Sequence, residues 1–156
     1  MKETDFIEKL GIGAFAYITI SEFCGLMEYI FENVLIISGI EPLTTIWLPE
    51  IISLLLFTII VVWGIKKYNR PTEIDVRKTL KSLIIIFFGI LTLQFLFTYF
   101  GTDFLMEKYL TEFQNYTKAN KGSLMLRGYL AFLPILQFVI LGIILLTNKK
   151  TVANNV

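Results

Sequence analysis

The sequence predicts an all-α membrane protein built as a bundle of four transmembrane helices. Of its 156 residues, 55% are hydrophobic, whereas soluble domains average roughly 45–50%. A bilayer requires about 20 consecutive apolar residues for each helical crossing, and the chain has four segments of that kind. A chain of this length could not cover four such helices on every side, so a water-soluble fold is excluded. We assign residues 1–156 to a single membrane domain with crossings at 11–40, 46–65, 82–100 and 123–147.

The apolar segments are predicted to be helices because of their length. Pro49 is placed in the first turn of the second helix, where no intrahelical hydrogen bond is lost. Pro134 lies within the fourth segment and is expected to kink it. Before the third segment, Thr72 and Asp75 have the spacing of a capping box, which predicts that the third helix begins near Thr72.

The distribution of basic residues predicts the orientation. The termini and the loop on one side of the membrane carry ten of the 14 lysines and arginines. Because positive charge accumulates on the cytoplasmic side, this predicts that both termini lie in the cytoplasm. We expect a multi-pass protein of the bacterial inner (plasma) membrane, surrounded by the lipid bilayer. The opposite side carries Lys108, Lys118, Lys121 and Arg127.

Residues 103–116, between the third and fourth helices, are predicted to form a short amphipathic helix that lies in the membrane interface. At helical spacing, its side chains fall on two lines. One line contains Leu105, Tyr109, Glu112 and Tyr116, and the other contains Met106, Leu110 and Phe113.

The composition excludes several kinds of chemistry. The chain has no histidine and a single cysteine, Cys24. A histidine-ligated haem, a histidine general base, a CxxC redox pair and a thiolate zinc site are therefore excluded. The net charge of +1 does not indicate a nucleic-acid partner. We expect no metal, no cofactor and no catalytic residue.

Three carboxylates in the first helix, Glu22, Glu28 and Glu32, are candidates for a proton, ion or substrate site, because ionisable groups are costly inside a membrane. Glu22 is predicted to lie about 18 Å into a hydrocarbon core roughly 30 Å thick. Glu28 falls near the outer edge of that core and Glu32 beyond it. Glu22 is either a structural, hydrogen-bonded carboxylic acid or a functional site. Arg127 either pairs with Glu28 and Glu32 or extends to the outer headgroups.

Small residues on the first helix predict a helix-contact stripe. Small side chains let helix backbones approach closely in a membrane. A second face, with Glu22, Tyr29 and Asn33, lies about 80° away. The first helix therefore belongs at the centre of a bundle or at a subunit interface. The stripe contains Ala14, Ser21, Gly25 and Gly39, in line with Glu28 and Glu32.

The segment Ser21-Glu22-Phe23-Cys24-Gly25 resembles the first-helix glutamate segment of the small multidrug resistance exporters. In that family the glutamate binds protons and cationic drugs in alternation. The resemblance is limited to this short segment. The glycine and tryptophan pattern expected of later helices in that family is missing, since Trp63-Gly64 closes the second helix. No family is assigned from it.

Three functional classes agree with these features. The favoured one is a non-enzymatic interaction, accessory or sensing subunit of an oligomeric membrane complex, formed by self-association or with other membrane subunits. The alternative is a homo-oligomeric proton- or cation-coupled transporter or channel that uses Glu22. The weakest is a membrane-embedded lipid enzyme that uses Glu28, Glu32 and Arg127, since no nucleophile lies beside a base.

Overall fold

The computed structural model describes residues 3–68, 75–120 and 133–153, and the regular structure within these ranges is entirely helical. In chain order the helices are α1 (Glu3–Ile37), α2 (Pro42–Tyr68), α3 (Val76–Leu96), a π-helical segment (Phe97–Gly101), α4 (Thr102–Lys108), α5 (Leu110–Asn120) and α6 (Leu133–Ala153).

Three helical spans within the described ranges are long and apolar enough to cross a membrane. They support the membrane-embedded, all-helical class predicted from the sequence. They are Glu8–Ile37, Pro42–Lys67 and Arg77–Lys108. The fourth predicted crossing is covered only in part, because residues 123–132 lie outside the described ranges. A shorter apolar helix, Ile135–Leu145, is described there, and the fourth crossing stays a prediction.

α1 ends at Ile37, three residues before the predicted end of the first crossing. The Gly39 N–H donates to the Ile36 carbonyl (3.0 Å) and the Ile40 N–H donates to the Leu35 carbonyl (3.2 Å). This pair of bonds is a Schellman motif, which terminates a helix through a residue with positive φ. Gly39 has φ +69° and so lies beyond the helix, outside the stripe to which its spacing had assigned it.

α2 begins four residues before the predicted start of the second crossing, at Pro42. Proline suits a first helical position because its φ is already helical and its missing N–H would have no partner there. Pro49 is therefore inside α2 rather than in its first turn. Its ring is fully buried, and it cannot donate a backbone hydrogen bond to the Thr45 carbonyl.

α3 begins at Val76, and its N-cap is Asp75, whose carboxylate accepts a hydrogen bond from the Lys78 N–H at 3.1 Å. The predicted start near Thr72 lies outside the described residues. α3 continues through the π segment into α4, so that the third apolar span reaches Lys108. The predicted interfacial helix 103–116 is thus divided: its first part extends α3, and the chain breaks at Tyr109 (φ −119°, ψ 43°) before α5.

α1 lies at the centre of the described helices. It contacts α2, α3 and α5, and Ser21 joins it to α6. A buried apolar cluster of Cys24, Phe57 and Val61 lies between α1 and α2, and Leu141 of α6 packs against it. We call the end of the bundle where α1 ends and α2 begins the distal end, and the opposite end the proximal end.

Candidate functional site

The distal part of the contact between α1 and α2 holds a carboxylate in contact with a hydroxyl. The side chains of Glu28 of α1 and Ser53 of α2 lie close enough to interact. The Ser53 hydroxyl also lies 3.3 Å from the Cys24 carbonyl oxygen, to which it can donate. A hydroxyl has a single proton to donate, so Ser53 can serve only one of these two oxygens at a time.

Glu32, one turn further along α1, is held by a residue from α5. The Tyr116 hydroxyl donates a hydrogen bond to the Glu32 carboxylate. On the same helix, Phe113 is only 6% exposed, and α5 contacts both α1 and α2. The predicted line of Leu105, Tyr109, Glu112 and Tyr116 is half-buried throughout, so this line faces the bundle.

Tyr29 joins α1 to the π segment and to α4. Its hydroxyl lies 2.5 Å from the Thr102 hydroxyl, and its ring meets Phe97 edge-on with centroids 5.8 Å apart. Asn33, one turn later, is buried and donates to the Tyr29 carbonyl at 2.8 Å. The second polar face of α1 is therefore a contact surface toward the third span.

Glu22 lies on this same side of α1. The ring of Phe15, seven residues earlier, packs on that of Phe87 of α3, with the two centroids 5.4 Å apart. Tyr29, seven residues later, contacts the continuation of α3. A spacing of seven keeps all three on one side of the helix. Glu22 is only half-buried. Within the described part of the chain it forms no hydrogen bond or ion pair, unlike Glu28 and Glu32.

A fourth carboxylate, Glu50 of α2, is absent from the predicted set. It is half-buried, and its Oε2 atom is inaccessible to solvent. It lies three positions before Ser53, so both side chains lie on the same side of α2. The signal was present in the sequence: Glu50, Ser53 and Phe57 follow one another at helical spacing, and the latter two face α1.

The residues of the predicted contact stripe lie in different environments. Ser21 donates to the Gln137 amide oxygen of α6 at 3.1 Å, so this pair joins α1 to α6. Ala14 and Gly25 are exposed, and a Cβ added to Gly25 would meet nothing within 4 Å. Gly39 lies in the turn after α1. Arg127 lies outside the described residues, so its pairing with Glu28 or Glu32 stays a prediction.

The described arrangement brings Glu28 and Glu32 together with neutral hydroxyl donors at the distal end and leaves Glu22 apart from them. A hydroxyl donates to a carboxylate without adding positive charge, and carboxylates inside a membrane serve as proton and ion sites. Among the residues that the structure describes, no group of three or more acidic or cysteine side chains is placed to hold a metal ion. Comparison of the chain with protein families, characterised proteins and solved structures finds no match.

Proposed function

We propose that the protein is a non-enzymatic membrane subunit that assembles with other membrane helices through an uncovered face of α1. The observation that carries the proposal is the exposure of Ala14, Ile18 and Gly25, which we call the open face. These residues lie within about 40° of one another around the helix. The helix that contributes them is the central one. Its other sides contact α2 and α3, and α6 meets the edge of the open face at Ser21.

The shape of the open face suits a second helix. Glycine and alanine leave the backbone accessible, and close backbone approach is the main source of helix association in lipid. Nothing lies within 4 Å of a Cβ built at Gly25, so a neighbouring helix could lie against it without rearrangement. If lipid alone covered the open face, α1 would lack the close backbone contacts that a neighbouring helix provides.

Glu22 lies at the edge of the open face, one turn from Ile18. A carboxylate without a partner is costly at this depth. A partner helix that supplied a lysine, arginine or hydroxyl at the same depth would lower that cost, which is a reason for Glu22 to lie beside a docking surface. The partner is either a second copy of this chain or another membrane subunit.

The test compares two glycines with matched surroundings. Gly25→Leu should abolish the complex recovered from native membranes in mild detergent, because the leucine side chain would hold a neighbouring helix away. Gly89→Leu in α3 is the control, since Gly89 is also helical, exposed and without neighbours within 4 Å of an added Cβ. Equal recovery of the complex with both variants would refute the proposal.

A second candidate function is a homo-oligomeric proton- or cation-coupled transporter or channel. The observation in its favour is the position of Glu22, which is half-buried and has no hydrogen-bond partner within the described residues. In this case Glu22→Gln should assemble normally but lose proton or cation flux in liposomes, since an amide cannot exchange a proton. Glu28→Gln and Glu32→Gln should reduce this flux less than Glu22→Gln does. Normal flux in the Glu22→Gln variant would leave only the subunit function.

The proposal includes a plasma-membrane location with both termini in the cytoplasm, supported by the basic residues near the termini and between α2 and α3. Reporter fusions at Asn69 and Asn154 should give cytoplasmic signals, and a fusion at Asn115 should give an external one. A cytoplasmic signal at Asn115 would contradict the four-crossing arrangement.

A further inference from the structure

We propose that α5 is a hinged lid that closes the distal end of the α1–α2 contact, latched by Tyr116 on Glu32 and pivoting at Tyr109. The proposal concerns access to the Glu28–Ser53 pair and does not depend on which partner binds the open face of α1.

Two described contacts characterise the closed position of α5, and most of its described side chains are exposed. Phe113 is the buried residue of α5, and the Tyr116 hydroxyl donates to Glu32. The other side of the helix is exposed at Gln114, Asn115 and Lys118. A helix held by few buried contacts opens at a lower free energy than the core of its protein. α5 can therefore separate from the bundle while α1 and α2 stay packed.

The pivot is the single residue between α4 and α5. Tyr109 leaves helical geometry at φ −119° and ψ 43°, so the two helices are not one rigid rod. Its N–H still donates to the Leu105 carbonyl at 2.8 Å, and its carbonyl accepts from the Phe113 N–H at 3.2 Å. Rotation about the Tyr109 backbone would move α5 as a unit and retain both helical turns.

α4 is anchored on the other side of the pivot. The Thr102 hydroxyl contacts the Tyr29 hydroxyl of α1 at 2.5 Å and donates to the Phe97 carbonyl at 3.3 Å. The first turn of α4 is thus attached to the central helix through the π segment. Motion at Tyr109 would be transmitted to α5 and not to α3.

Opening of the lid would first uncover Glu32 and then the residues one turn earlier on α1, which include Glu28. Glu28 lies four residues before Glu32 on α1, and its partner Ser53 is buried on α2. Both helices that carry this pair contact α5. The lid therefore controls whether water, protons or cations reach the Glu28 carboxylate from the distal side.

The test measures access to position 53 in nanodiscs. In a Cys24→Ala chain, which removes the only native cysteine, Ser53→Cys reports access by its rate of reaction with a charged maleimide. Adding Tyr116→Phe should raise this rate roughly tenfold, the size expected when a hydrogen bond to a carboxylate is lost. Tyr99→Phe is the matched control, because Tyr99 is exposed in the π segment and its ring packs on Phe95.

A Val61→Cys chain separates opening of the lid from general loosening. Val61 is buried in the apolar cluster away from α5, so Tyr116→Phe should leave its reaction rate unchanged. An unchanged rate at Ser53→Cys would overturn the lid, and so would equal acceleration at both positions. In the unmodified protein, the amides of α5 should exchange hydrogen together and faster than those of α1. Protection of α5 equal to that of α1 would also overturn it.

Discussion

The proximal and distal halves of the α1–α2 contact are stabilised by different interactions. In the proximal half, the ring of Tyr17 packs edge-on against Phe57 and also against Phe138 of α6, with centroid distances of 5.8 and 4.6 Å. These rings lie around the buried cluster of Cys24, Phe57 and Val61. In the distal half, the Ser53 hydroxyl of α2 lies beside Glu28 of α1, and the Tyr116 hydroxyl of α5 donates to Glu32 of α1. One pair of helices thus combines a close-packed apolar contact with a polar one.

The difference indicates which half of the α1–α2 contact can rearrange. Apolar packing loses dispersion contacts as soon as the surfaces separate, so it favours one arrangement. A hydroxyl–carboxylate bond can be exchanged for bonds to water, which leaves a net cost of about 1.5 kcal/mol. We therefore expect the proximal half to hold the bundle together and the distal half to respond to its surroundings.

The largest expected effect is in the proximal half. Phe57→Ala should lower the free energy of unfolding by about 3 kcal/mol, because it removes a ring that is 0% exposed and leaves a cavity. Ile59→Ala is the control on the same helix, since Ile59 is 65% exposed. Thermal unfolding in one detergent should separate the two variants. Similar melting temperatures would show that the cluster does not stabilise the bundle.

A smaller effect is expected at the distal turn after α1. Gly39→Ala should destabilise the protein by about 1 kcal/mol, since an alanine side chain is disfavoured at φ +69°. Gly89→Ala in α3 should be neutral or slightly stabilising, because alanine has the higher helix propensity. Chemical unfolding of both variants measures the difference. A neutral Gly39→Ala would mean that the chain can leave α1 by another turn.

The smallest effect is expected where a distal hydroxyl loses one hydrogen-bond partner and keeps another. Tyr29→Phe removes the hydroxyl that contacts Thr102, but Thr102 keeps its bond to the Phe97 carbonyl. The cost should be about 0.5–1 kcal/mol. Because the ring still packs on Phe97, the spectroscopic helix content should not change. A loss as large as that of Phe57→Ala would show that the polar half is as important for stability as the apolar half.

Much of the helical architecture could be predicted, and the errors have local causes. The apolar segments are long enough to identify α1, α2 and α3, but their ends depend on hydrogen bonds that hydropathy does not contain. Asp75 caps α3, and the Gly39 turn ends α1. The division of residues 103–116 was missed because the break at Tyr109 follows from the packing of Phe113 and Tyr116 against other helices.

The sequence could indicate candidate carboxylates by residue type, but not the partners of those carboxylates. The spacing on α1 identified Glu22, Glu28 and Glu32, but a helix alone cannot indicate which neighbour lies against each side. Ser21 belonged to the predicted stripe, and only the position of α6 shows that it meets Gln137. Glu50 was missed although its helical spacing to Ser53 and Phe57 is visible in the sequence, and only the packing of α2 shows that Ser53 and Phe57 face α1.

The sequence by itself determined that the chain contains long apolar helices with carboxylates on the first of them, because hydrophobicity and helical period are local properties. Only the tertiary structure decided which carboxylates are partnered. Rotation of each helix about its axis is set by the packing of all its neighbours at once. That packing places Tyr116 on Glu32 and Ser53 beside Glu28, and leaves Glu22 at the edge of the open face of α1.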